Sequence, residues 1–91
     1  MIESDKKVPS GKSGAAFVAV RTSAQLGSVV RDRRKVLALK QEDVAGLGGT
    51  GNRFIVELEN GKPTMQIQRV MDILDLLGLE LAVRPRNAGA T

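Results

Sequence analysis

The sequence predicts a mainly α-helical domain of four to five short helices with a brief strand at its C-terminal end. Three observations predict it. Apolar residues recur at three- and four-residue spacing through successive segments bounded by capping and stop residues. A glycine-rich turn separates two helices of about two turns each. Beyond Gly78 the apolar period switches from helical to two.

Residues 1–14 are polar, Gly- and Ser-containing and without periodicity, and are expected to form a flexible arm. The domain itself is expected over residues 15–86. Ala15 to Arg21, with Phe17 and two valines, has the composition of an edge strand. Thr22-Ser23-Ala24-Gln25 is a capping box that opens a first helix from about Ser23 to Leu37, with Leu26, Val29, Val30 and Leu37 on one face. Arg31, Arg33, Arg34 and Lys35 crowd its last turns, where cations suit the negative helix end.

A second helix is expected from about Gln41 to Leu47, with Glu42 and Asp43 in its first turn, and a third from Asn52 to Glu59, stopped by Asn60-Gly61. Thr64 is then the expected cap of a fourth helix reaching Leu77, with Ile67, Val70, Met71, Leu74 and Leu77 in register and Gly78 as C-terminal cap. Leu79, Leu81 and Val83 alternate with Glu80, Ala82 and Arg84, the pattern of a half-buried strand over 79–84 that Pro85 ends. Residues 87–91 are expected to be a flexible tail. A lone strand leaves its own backbone groups unpaired, so it must pair with Phe17–Arg21 or with its copy in a second subunit. A single 91-residue core is small, which also favours dimerisation.

Composition narrows the function. Cysteine and histidine are absent, which excludes disulfides, zinc fingers, thiol nucleophiles and imidazole bases. No catalytic spacing joins the remaining carboxylates, lysines and hydroxyls, so neither an enzyme nor a cofactor is expected. Phe17 and Phe54 are the whole aromatic content, too little to stack single-stranded bases. Ala15–Val20 is too short for a signal-peptide core and nothing approaches a membrane span, so a cytoplasmic protein without a membrane partner is expected. The net charge is +4, and the basic excess lies in the first 39 residues, which suits a polyanionic partner.

The segment Gln41–Leu58 is the most specific. Gln41, Ala45, Gly49, Ile55 and Leu58 follow one another at fixed spacing. Two short helices that cross steeply need a small side chain at their closest approach, here Ala45. They also need a residue tolerant of positive φ in the turn, here Gly49. Val44, Ile55 and Leu58 would face inwards and lock the pair against the first and fourth helices.

This stretch, KQEDVAGLGGTGNRFIVELENGK, resembles the helix-turn-helix of the Xre (phage repressor and Cro) family, and the likeness runs from about Arg21 to Arg86. It implies a lambda-repressor-like domain whose third helix enters the major groove of double-stranded operator DNA. One departure is Gly48, where the family usually has an apolar residue; Leu47 or Thr50 is expected to fill the gap. Carried over, the base-contacting positions are Gly51, Asn52, Arg53, Val56 and Glu57. Asn52 can pair with adenine, Arg53 with guanine, Val56 can touch a thymine methyl and Glu57 can accept from cytosine. Lys40, Gln41, Asn60 and Lys62 are the implied phosphate contacts. The resemblance also sets Arg34 opposite Glu59 as an ion pair between the first helix and the end of the third.

The ending LDLLGLELAVRPR and the opening VRTSAQLG resemble HipB-like antitoxins in particular. That implies a homodimer with the strand Leu79, Leu81 and Val83 pairing across the two-fold axis. It also implies repression of its own operon and a HipA-like kinase toxin as partner. A stand-alone repressor of the same family is the nearest alternative, and a protein-interaction module that has lost DNA binding is another.

Overall fold

The computed structural model describes residues 17–86. The expected arm, the tail and the first two residues of the expected N-terminal strand lie outside them. The described residues form four helices: α1 (Ser23–Val36), α2 (Gln41–Gly48), α3 (Asn52–Glu59) and α4 (Ile67–Leu76).

Helix α1 starts where a hydroxyl can close its first turn. The Thr22 side chain accepts the Gln25 N–H at 3.0 Å, satisfying one of the orphan donors of a helix N-terminus. The reciprocal bond of the box is displaced by one residue, since the Gln25 amide oxygen takes the Arg21 N–H. Helix α2 is capped differently. The Asp43 carboxylate accepts the Lys40 N–H at 2.8 Å, and Gly49 ends the helix in the left-handed region at φ 69°, ψ 30°. A Cβ at Gly49 would meet nothing within 4 Å, so the backbone angle alone calls for glycine there.

Helix α4 begins two residues later than the Thr64 cap predicts. Its first bond runs from the Val70 N–H to the Gln66 carbonyl, while Met65 packs against the core. That inward turn of Met65 holds the chain out of helical conformation until Gln66. Ile67, expected on the apolar face, is therefore the exposed first residue of the helix.

The core joins all four helices through Val30, Val44, Ala45, Ile55, Leu58, Val70, Ile73, Leu74 and Leu77. Each fully buried aliphatic side chain contributes about 1.5–3 kcal/mol relative to exposure. Leu37, expected on the core face of α1, instead caps the helix and is half-exposed. Gly48 lies against α4, where a Cβ would come within 2.7 Å of Ile73 Cδ1. Ile73 fills most of the gap left by the missing side chain, with Thr50 Cγ2 at its edge, 4.0 Å from that position; Leu47 takes no part and is 65% exposed.

Neither 17–21 nor 79–84 forms a strand ladder within the chain. Among the described residues, 17–20 and 80–86 make no backbone–backbone hydrogen bond. The two segments flank a groove instead of pairing with each other.

Candidate nucleic-acid interface

Gly49 turns the backbone so that α3 starts afresh at Asn52 and packs against both α1 and α2. Its pattern separates two faces. Ile55, Leu58 and Glu59 are buried, whereas Gly51, Asn52, Arg53 and Asn60 are exposed and Val56 and Glu57 are half-buried at the rim. Positions 52, 53, 56, 57 and 60 share one side of the helix by their spacing. Four of the five expected base-contacting residues, all but Gly51 at the N-cap, therefore form one continuous outer face.

What holds that face is a buried polar cluster beneath it. Arg34 grips Glu59 with two hydrogen bonds, Nε to Oε2 at 2.6 Å and Nη2 to Oε1 at 3.0 Å. The side chains are 11% and 2% exposed. A guanidinium fork suits a carboxylate in this bidentate way. Arg34 also donates to the Leu39 carbonyl at 2.8 Å, tying the α1–α2 connection to the same point. Burial alone would push the Glu59 carboxyl up, but hydrogen bonds from Arg34 and Gln41 outweigh it and hold the group below its ordinary range. The bond to Glu59 likewise holds the Arg34 guanidinium above its usual value, against the effect of burial.

Gln41, expected as a phosphate contact, is bound into this cluster: its Nε2 donates to Glu59 Oε1 at 3.0 Å. The amide that the sequence points towards DNA is thus also the link between α2 and α3. Sequence reading missed this, because nothing in the spacing of residues 41 and 59 announces a side-chain contact.

On the outer face, Arg53 Nε lies 3.1 Å from Glu57 Oε2, and Lys62 Nζ lies 3.4 Å from Glu57 Oε1. Two proposed DNA-facing cations are thereby brought onto one proposed cytosine acceptor. The hydrogen bond from Arg53 leads in holding the Glu57 carboxyl below its usual value. Arg53 itself remains 88% exposed. Lys40 is exposed at the N-terminal end of α2, and Asn60 is the exposed C-cap of α3.

Three further residues position α3 without any signal in the sequence pattern. Gly27 in α1 sits against the end of α3, where a Cβ would lie 2.5 Å from the Glu59 carbonyl oxygen and 2.6 Å from that of Leu58. Ser23 donates its hydroxyl to the Gly61 carbonyl at 2.8 Å. Arg69 of α4 stacks over the Phe54 ring at 5.1 Å. The basic cluster at the end of α1 is also divided by the structure. Arg33 donates to the Leu77 carbonyl at 2.8 Å and Arg34 to Glu59, while Arg31 and Lys35 stay exposed.

Comparison with known proteins agrees with this geometry. An uncharacterized HTH-type transcriptional regulator of Sinorhizobium fredii, y4mF, is 45% identical over 64 residues, which make up 70% of this chain and 84% of that protein. Among solved structures, a HipB–O4 20mer complex matches with a TM-score of 0.71 at 20% identity, covering 77% of this chain and 99% of the other. A HipA–HipB–O2–O3 complex matches with the same score, identity and coverage. No protein-family model matches the chain. At this identity the structural likeness is one of fold.

Proposed function

The chain belongs to the HTH-type transcriptional regulators, and from that premise we propose that it is a sequence-specific repressor whose α3 reads the major groove of operator DNA. One observation carries the reading. The outer face of α3 offers exposed Asn52 and Arg53 side chains, while the inner face is fastened to α1 and α2 by the Arg34–Glu59–Gln41 cluster. A rigidly held helix with exposed amide and guanidinium groups at its N-terminal end is what base-edge recognition requires.

The protein acts as a homodimer, so that two copies of α3 meet successive half-sites of a palindrome. Lys40, Asn60 and Lys62 lie beside the reading face and contact the backbone phosphates. We assign it further to the antitoxins, repressing its own operon and neutralising a HipA-like kinase toxin. Support comes from the HipB fold, seen in complexes described as containing HipA, and from the resemblance of both ends of the domain to HipB-like sequences. It is not an enzyme in this reading and works at the nucleoid in the cytoplasm.

In-vitro selection of bound DNA from a random pool tests the proposal, with a palindromic consensus as the expected product. Joint substitution Asn52→Ala and Arg53→Ala should then weaken binding to that consensus by roughly a hundredfold or more, at about 1–3 kcal/mol for each lost bidentate pair. The melting temperature should stay nearly unchanged. Unaltered affinity would remove α3 as the reader, and failure to select any DNA would favour a module that binds protein only.

A further inference from the structure

The segments on either side of the helical body, Phe17–Arg21 and Ala82–Arg86, line a groove of about 1040 Å³. Below it a smaller hollow of about 250 Å³ reaches Leu26, Val29 and Leu74. Ordinary small-molecule sites hold about 300–1,000 Å³ and converge polar groups on the ligand. This groove is as large as the largest of them and is bounded by two stretches of peptide. Neither 17–20 nor 80–86 makes a backbone–backbone hydrogen bond among the described residues. Apolar side chains are left uncovered along it: Val83 is 95% exposed, Phe17 67%, Val18 62% and Leu81 50%. Two facing segments with strand patterning and unused peptide groups form a template for a third.

We propose that this groove receives the segment Leu79–Arg84 of a second copy of the chain, inserted between that protomer's own C-terminal segment and its Phe17–Arg21 segment. The inference rests on the homodimer proposed above and adds to it the N-terminal segment as an outer strand. Two-fold symmetry then builds a four-stranded sheet in the order N-terminal, partner C-terminal, C-terminal, partner N-terminal.

The C-terminal segment is self-complementary in a way that selects this occupant. Paired antiparallel about Ala82, Glu80 lies opposite the partner subunit's Arg84, and symmetry repeats that pair. Leu81 lies opposite the partner's Val83 on the other face, the one that continues into the apolar hollow. Opposite charges facing across a pair are favoured, and like charges are disfavoured. Sliding the register by one residue at each end centres the pair on Leu81 or Val83 and loses either the Glu80–Arg84 match or the apolar one. Pro85, which has no N–H to give, falls just past the paired stretch. The N-terminal segment, which has the composition of an edge strand, suits the outer position.

The absence of cysteine makes crosslinking a clean test. Chains carrying Val18→Cys or Val20→Cys are each co-refolded with chains carrying Val83→Cys and oxidised, and Ala82→Cys is oxidised alone. A mixed disulfide from at least one of the N-terminal positions is expected, together with self-crosslinking of the Ala82 variant. Self-crosslinking at residue 82 without any mixed disulfide would overturn the inserted arrangement and leave the dimer standing. So would an intramolecular disulfide in a single chain carrying both Val20→Cys and Val83→Cys. Monomers by sedimentation of the unmodified chain would overturn the dimer as well.

The register has its own measurement. Glu80→Arg and Arg84→Glu should each weaken self-association by roughly tenfold, and mixing the two variants should restore it, from the repeated charge pair. Equal association in the mixed and separate samples would overturn the Ala82-centred register.

Discussion

Glu59 accepts three hydrogen bonds from two helices other than its own, two from Arg34 of α1 and one from Gln41 of α2. Its ionised form is therefore favoured in the folded chain, and its carboxyl is held below the ordinary 4.5. The stabilisation is present above that value and disappears as pH falls from about 4.5 through the lower folded-state value. Glu59→Gln leaves the Arg34 charge buried without its counterion, which costs about 3–5 kcal/mol when one partner of a buried pair is removed. Urea unfolding at neutral pH should register that loss, and the gap to the unmodified protein should narrow as pH falls progressively below about 4.5. An equal gap at neutral and acidic pH would mean that Glu59 is not the titrating contributor. Glu57, on the outer face, predicts something different. Its carboxylate occupies Arg53 and Lys62 and would face DNA phosphates itself. Glu57→Gln should raise affinity for random-sequence DNA several-fold while lowering the ratio of specific to random binding, as measured by competition titration. A fall in random-sequence affinity would contradict the placement of Glu57 on the DNA-facing side.

At the scale of elements, the crossing of α1 over the end of α3 depends on a missing side chain. A methyl at Gly27 would meet backbone carbonyls at 2.5 and 2.6 Å, which cannot rotate away as a flexible side chain would. Alanine gains up to about 1 kcal/mol of helix propensity over glycine. Overpacking a tight contact costs about 1–3 kcal/mol. Contact with two carbonyls places this site at the upper end, so the clash wins. Gly27→Ala should lower stability by about 1–2 kcal/mol net and also weaken DNA binding, because α3 must tilt or retreat. A stabilised variant in thermal unfolding would refute the close approach. The glycines of the turn act for another reason: Gly49 is required for its angle, whereas Gly48 makes room for Ile73.

For the whole molecule, the charge distribution and the proposed dimer give a salt dependence. If the dimer neutralises about six to ten phosphates, affinity should fall about 10³- to 10⁵-fold between 50 and 200 mM salt. A flat response in fluorescence anisotropy would make a protein the principal ligand. At this scale the sequence was legible in its local features. The bounds of α3, the αL position of Gly49, and the inward set Val44, Ile55 and Leu58 all follow from spacing and turn chemistry. The start of α4 did not, because Met65 is drawn into the core by residues distant in the chain.

Local order was decided by the sequence itself: which stretches coil, where they stop, and which side of each is apolar. Those properties depend mainly on residues a few positions apart, and they shift only where packing intervenes, as at Met65. The tertiary structure alone decided that Gln41 fastens Glu59, that Gly27 admits α3, that Arg33 ties α1 to the Leu77 carbonyl, and that a groove separates the two terminal segments. Such contacts join residues far apart along the chain. Their distances exist only after the helices have packed.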